Sequence, residues 1–163
     1  MIRKSTLFTC GVFLLLPAVT FAQATFNGGG DGTTWNDAAN WDTGMLPAAN
    51  VNIPDAFTVS LSTDQTVNEI DLVGDQSAGT AVLNHTAGTL SGGGWMKVGV
   101  DLGNDGTFTM SGTAAMSGFS DLHGGTRGGT GTINLTDSAS FSHVGSLNPV
   151  SYTHLTLPTI CSV

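Results

Sequence analysis

The chain has 163 residues, a formal net charge of −8, and only 10% charged and 7% aromatic residues, with 23 glycines. That length predicts one domain. A surface of this sign repels nucleic acid and anionic membrane, which excludes both as natural partners.

Residues 1–24 read as a secretory signal peptide. Arg3 and Lys4 form a positive start, Leu7 to Phe21 is mostly apolar, and Ala22-Gln23-Ala24 is a small-x-small cleavage site. The apolar run is too short and wrongly flanked for a membrane span, so the mature part is expected not to insert. From Thr25 to Asn148 there is no Cys, so no disulfide can form there. Twelve acids, eleven of them Asp, face two bases, Lys97 and Arg127. Asp, Gly, Asn, Ser and Thr favour tight turns, and the helix formers Glu and Lys are nearly absent. An all-β chain is predicted.

Residues 25–62 are expected to hold an N-terminal cap and the first strands. Trp35 and Trp41 lie in "TTWNDAANWDTGMLPAANVNIPD", just before the alternating "VNI" at Val51 and "FTVSLS" at Phe57. Alternation with period two turns one face to a core and one to water. Two uses for the tryptophans compete. They can stack on sugars, or plug the open end of a fold with Leu46 and Pro47. Large aromatics mostly serve burial, so the plug is expected.

Residues 63–148 repeat. "GTAVLNHTAGTLSGGGWMKVG" from Gly79, "GTFTMSGTAAMSGFSDLHG" from Gly106 and "GTINLTDSASFSHVG" from Gly131 align, with "TVNEIDLVG" as a partial earlier copy. Three apolar columns follow. One is Val82, Phe108 and Ile133; another is Leu90, Met116 and Phe141; the third is Val73, Val98, Leu122 and Val144. Each unit has about three short strands and cannot bury its own apolar residues, whereas a stack of units can. The predicted fold is therefore a parallel β-helix, or β-solenoid, with rungs of about 25 residues; an antiparallel β-sandwich is the alternative. Trp95 falls beside Phe119 in the alignment and is expected in core or corner packing.

Candidate sites are sparse. "DLGNDG" matches a calcium loop at Asp101, Asp105 and Gly106, but Gly112 replaces the closing Glu. "GGGDG" at Gly28 does not fit the calcium-roll repeat in register. Both are read as turns. His85, His123, His143 and His154 form no metal-ligand spacing and are expected to be solvated strand or corner residues. The best catalytic constellation is Asp121 with Arg127, and Asp101 with Asp105 one unit earlier. Glycines at 124, 125, 128 and 129 surround Arg127, so this is a poor acid–base arrangement. Asn84 and Asn134 head glycosylation sequons that matter only in a eukaryotic host. No catalytic, cofactor-binding or metal residue is assigned, and no cofactor is expected.

The repeat "GTAVLNHTAGTLSGGGWMKVGVDLGNDGTFTMSGTAAMS" and the opening "TWNDAANWDTGMLPAANVNIPD" resemble exported bacterial β-helix proteins of the autotransporter-associated and PEP-CTERM-anchored kind. The resemblance covers most of Thr25 to Gly145. It implies a right-handed β-helix displayed outside the cell, as a structural or adhesive passenger rather than an enzyme. Extracellular polysaccharide or other surface proteins are the implied partners. A carbohydrate-active β-helix enzyme or a glycan-binding module is the alternative.

Residues 149–163, "PVSYTHLTLPTICSV", contain no Gly and no acid but hold the only Tyr. This composition break resembles translated sequencing-adaptor read-through. It predicts a solenoid that is incomplete at its C-terminal end, in a natural protein that continues past Asn148.

Overall fold

A computed structural model describes residues 23–73, 78–142, 145–149 and 154–156. The expected signal peptide up to Ala22, together with His143, Val144 and most of the tail, lies outside the described residues.

The chain winds as a β-solenoid of about five turns, about 25 residues apart. After β1 (Ala24–Thr25), the first turn is β2 (Asn50–Ile53), β3 (Thr58–Leu61) and β4 (Gln65–Thr66). The second is β5 (Glu69–Leu72), β6 (Gly79–His85) and β7 (Thr89–Ser91). The third is β8 (Trp95–Val98), β9 (Asn104–Met110) and β10 (Ala115–Ser117). The fourth is β11 (Asp121–Gly124), β12 (Thr130–Leu135) and β13 (Ser140–Ser142). Then come β14 (Ser146–Pro149) and β15 (His154–Thr156), the latter within the anomalous tail.

Three parallel sheets form the faces. The first runs β1-β2-β5-β8-β11-β14, the second β3-β6-β9-β12-β15, and the third β4-β7-β10-β13. Every strand ladder is parallel, so the sandwich alternative is excluded. From β2 onward consecutive strands belong to different faces, and each strand finds its partner one turn away. No single turn is stable alone for that reason.

Inward residues set the register. On the first face Ile70 pairs with Met96 and Met96 with Leu122. On the second, Val59 pairs with Leu83, Leu83 with Phe108, and Phe108 with Ile133. On the third, Leu90 pairs with Met116 and Met116 with Phe141, as the alignment predicts. Most of these side chains are fully buried, and each removes about 1.5–3 kcal/mol worth of apolar surface from water.

Two expected columns are displaced. Val82 pairs with Thr107 on the outer face, and Leu83 takes its place opposite Phe108. Gly79 stands opposite Asn104, two residues before the Gly106–Gly131 pair. Matching the Gly-Thr dipeptides is two residues off the true pairing, whereas matching Val82 with Phe108 is one residue off, and a shift of one residue exchanges the two faces of a strand. In the third expected column, Leu122 pairs with Met96, while Val98 pairs with Leu72 and Gly124. Val73 lies one position beyond the strand, where φ is 54°, level with Gly99 at 60° and Gly125 at 64°. All three turn the corner with left-handed backbone. At Gly99 a Cβ would sit 1.8 Å from the Thr130 carbonyl oxygen, so no side chain fits there. Asn104 completes the corner by donating from Nδ2 to the carbonyls of Val73 (3.0 Å) and Val100.

The N-terminal end is closed by an aromatic cluster. Trp35 is 0% exposed and Trp41 2%, so neither offers a face to a sugar. Their rings pack edge to face at 4.9 Å, and Phe26 packs at 5.1 Å against both Trp41 and Phe57. Trp41 Nε1 donates to the Trp35 carbonyl at 2.8 Å. Pro47 is buried, but Leu46 is 41% exposed and does not join the plug.

Above the rings lies a polar knot. Buried Asn40 donates from Nδ2 to Asp31 Oδ1 (2.8 Å) and the Thr34 carbonyl (2.9 Å). Its Oδ1 accepts from the amides of Gly30 and Gly32, both at 2.9 Å. Asp31 also accepts from the amides of Thr33 (2.9 Å) and Thr34 (2.7 Å). Hydrogen bonds from Thr34, then Thr33 and Asn40, hold its carboxyl far below the ordinary carboxylate range. The "GGGDG" stretch is thus a wrapping for Asn40.

One residue breaks the apolar interior. His85 is 0% exposed and stands in the inward column between Leu61 and Met110. It is not the solvated residue expected from sequence. Neither ring nitrogen makes a hydrogen bond of normal geometry among the described residues. Burial pushes its pKa down, partly opposed by the nearby Ala87 and Gly88 backbone.

Two outcomes are expected. Burial disfavours the charged imidazole of His85 in the fold, whereas the unfolded chain takes up a proton below about pH 6.5, so stability falls with acidification from that point. For one proton the slope cannot exceed about 1.4 kcal/mol per pH unit. Denaturant unfolding between pH 7.5 and 5.5 should show this slope, and His85→Leu should remove it while raising stability at pH 5.5. At the other end, Trp35→Ala should cost about 3–5 kcal/mol, the full value for a buried Trp rather than the smaller one for a half-covered end. Urea unfolding of the variant measures it, and a loss below about 1 kcal/mol contradicts the plug.

Candidate functional site

Among the three tryptophans, Trp95 alone is exposed, at 47%. It does not pack in the core beside Phe119, which is fully buried. The reason is local. In β8 the burial alternates, with Met96 and Val98 inward and Trp95 and Lys97 outward. The next turn of the same face brings Asp121 opposite Trp95 and His123 opposite Lys97. Gly92 makes room for Phe119 inside, since a Cβ there would lie 2.3 Å from that ring.

The outward side chains form one cluster. The Trp95 and His123 rings stack at 5.1 Å with 24° between their planes. Lys97 Nζ lies 5.6 Å from the Trp95 ring centre. It forms ion pairs with Glu69 and, at 3.0 Å, with Asp71, both on β5. Burial alone would lower the Lys97 pKa, but these two carboxylates outweigh it and raise the value.

The turn after β11 supplies the opposite wall. There Arg127 Nε lies 2.9 Å from Asp101 Oδ1, from the turn one rung earlier. Both residues have left-handed backbone, with φ 52° at Arg127 and 83° at Asp101. Such conformations cost energy for non-glycine residues and are retained where the surroundings enforce them. Gly125, with φ 64°, precedes this turn and Gly129 follows it. A groove of about 360 Å³ results, lined by Trp95, Lys97, Val100, His123, Thr126 and Arg127. Its volume is at the low end for ligand pockets.

The other sequence candidates fall elsewhere. Of the supposed calcium loop, Asp101 is held by Arg127, while Asp105 projects from the exposed side of β9. Among the described residues, no group of three or more His, Cys, Asp or Glu side chains could hold a metal ion. Asp121 Oδ1 accepts from the Ser146 amide at 3.2 Å, so it ties two turns together. Asp64 does the same with the Thr89 amide (2.8 Å), and Asp137 with that of Gly112 (3.0 Å). Asn84 and Asn134 both sit in one outer column with Thr109 between them. His154 lies on β15, opposite Thr132.

Nothing in the sequence spacing links Trp95, Lys97, His123 and Arg127. Their convergence needs the register of β8 on β11, which pairs Trp95 with Asp121 rather than setting it beside Phe119. No protein-family model, no curated protein and no solved structure matches this chain.

Proposed function

We propose that this chain belongs to an exported bacterial protein and serves as a structural and adhesive β-solenoid passenger, secreted or held at the cell surface, without catalytic activity. The observation that carries this reading is the exposed Trp95 cluster on a rigid six-stranded face. Exposed large aromatics backed by regular structure are typical of contact surfaces, because little conformational entropy is lost when they engage a partner.

Other features support the same reading. The charged, apolar and small-residue pattern of residues 1–24 fits export. The strong negative charge suits a protein that stays soluble outside the cell and does not bind nucleic acid. The acids beside the groove are committed to the fold: Asp101 pairs with Arg127, and Glu69 and Asp71 pair with Lys97. Acid–base catalysis requires carboxyl groups poised for proton transfer, a role poorly served by such partners. Extracellular polysaccharides or other surface proteins are the partners that fit.

Expression with its own N-terminus in a Gram-negative host tests the reading. The expected result is processed protein outside the cytoplasm, retention of those cells on immobilised polysaccharide, and no release of reducing ends. Cytoplasmic retention, or steady release of reducing ends from any polysaccharide, contradicts it.

A further inference from the structure

We propose that the groove between Trp95 and the Thr126–Gly128 turn binds a neutral polysaccharide, with one sugar ring stacked on Trp95. This rests on the adhesive reading and specifies its ligand. The shape comes first. Val100, itself buried, lies at the base, the Trp95–His123 stack forms one wall and Thr126 with Arg127 the other. A flat ring beside hydrogen-bonding groups suits a pyranose, whose axial C–H bonds make an apolar face while its hydroxyls point outward. Lys97 and Arg127 on the lining supply N–H donors toward such hydroxyls, and the Thr126 hydroxyl can donate or accept.

Charge selects the ligand class. Lys97 and Arg127 are the only bases between Thr25 and Asn148, and both line this groove. Taken alone, that suggests an anionic ligand. Yet Glu69, Asp71 and Asp101 already pair with them, and Asp121 stands opposite Trp95 on the neighbouring strand. Four carboxylates thus surround two cations. A uronate or sulfated chain would meet net repulsion there, whereas a neutral chain would meet fixed donors and acceptors at no charge cost. The ion pairs of Lys97 with Glu69 and Asp71, and of Arg127 with Asp101, hold these groups in place before the ligand arrives.

The test uses the full-length exported chain with a neutral xylan, a neutral β-glucan, alginate and polygalacturonate as probes. Binding is read by affinity electrophoresis and by iodide quenching of tryptophan fluorescence. The expected result is retardation by at least one neutral polysaccharide, protection of the single quenchable tryptophan, and binding to the uronates at least about tenfold weaker. Trp95→Ala should lose about tenfold or more in affinity while still unfolding cooperatively with only a small drop in midpoint, since the side chain lies outside the core. Trp95→Phe should retain part of the affinity. Equal or tighter binding of the uronates, no binding of either neutral chain, or full affinity in Trp95→Ala overturns the proposal. Retention of displaying cells is scored separately. Cells that still adhere through Trp95→Ala reject this groove and leave the adhesive reading standing, whereas wild-type cells that adhere to nothing reject the adhesive reading itself.

Discussion

Everything in this protein depends on register between parallel strands of successive turns. A parallel ladder has no hairpin to set its alignment, so side chains must do it. Here the inward columns do so: Ile70 on Met96 on Leu122, and Leu83 on Phe108 on Ile133. A slip of one residue would expose all of these and bury Thr107, Thr132 and their neighbours. Corners add a second constraint, because left-handed backbone recurs at Val73, Gly99 and Gly125. Asp64 and Asp137 at other corners, and Asp121 at the start of β11, accept amides from an adjacent turn. The acidic composition is thus partly a device for holding turns together, besides keeping the outer surface soluble.

A stack of this kind is only as sound as its ends, since an uncovered parallel edge pairs with whatever strand it meets. The N-terminal end is covered by Phe26, Trp35 and Trp41, held beneath the Asn40–Asp31 knot. Asn40 uses both amide hydrogens and its oxygen in short bonds, which is what a fully buried polar side chain requires. His85 is the contrary case, a buried imidazole in an apolar column with neither nitrogen well bonded. It makes the middle of the stack sensitive to acid below the ordinary histidine pKa.

Sequence patterns made the architecture legible because they repeat the physics. Alternation in "FTVSLS" marks a half-buried strand, and the Leu90–Met116–Phe141 column appears in the structure at its expected spacing. The burial of Trp35 and Trp41 was legible too, from their place before the first alternating strand, although Leu46, expected with them, stays exposed. What escaped was registration by one or two residues. Gly-Thr pairs at 79 and 106 looked equivalent, yet Gly79 lies opposite Asn104, since glycine positions follow corners of differing length rather than the core. The groove was hidden by a separate misregistration: the alignment set Trp95 beside Phe119, whereas β8 pairs it with Asp121 and brings His123 level with Lys97. Nor did composition reveal that His85 points inward, because histidine is tolerated on either face.

Cysteine cross-linking of neighbouring turns tests the central claim of register most directly. Outward partners on adjacent parallel strands lie within the Cα separation that a disulfide spans, about 4.4–6.8 Å. Val82 and Thr107 are such partners, whereas Val82 and Phe108 point to opposite faces. With both positions of a pair replaced by Cys under mild oxidation, peptide mapping should find the bond in Val82→Cys/Thr107→Cys and not in Val82→Cys/Phe108→Cys. A bond in the second pair but not the first would contradict the register, and with it both the core columns and the groove.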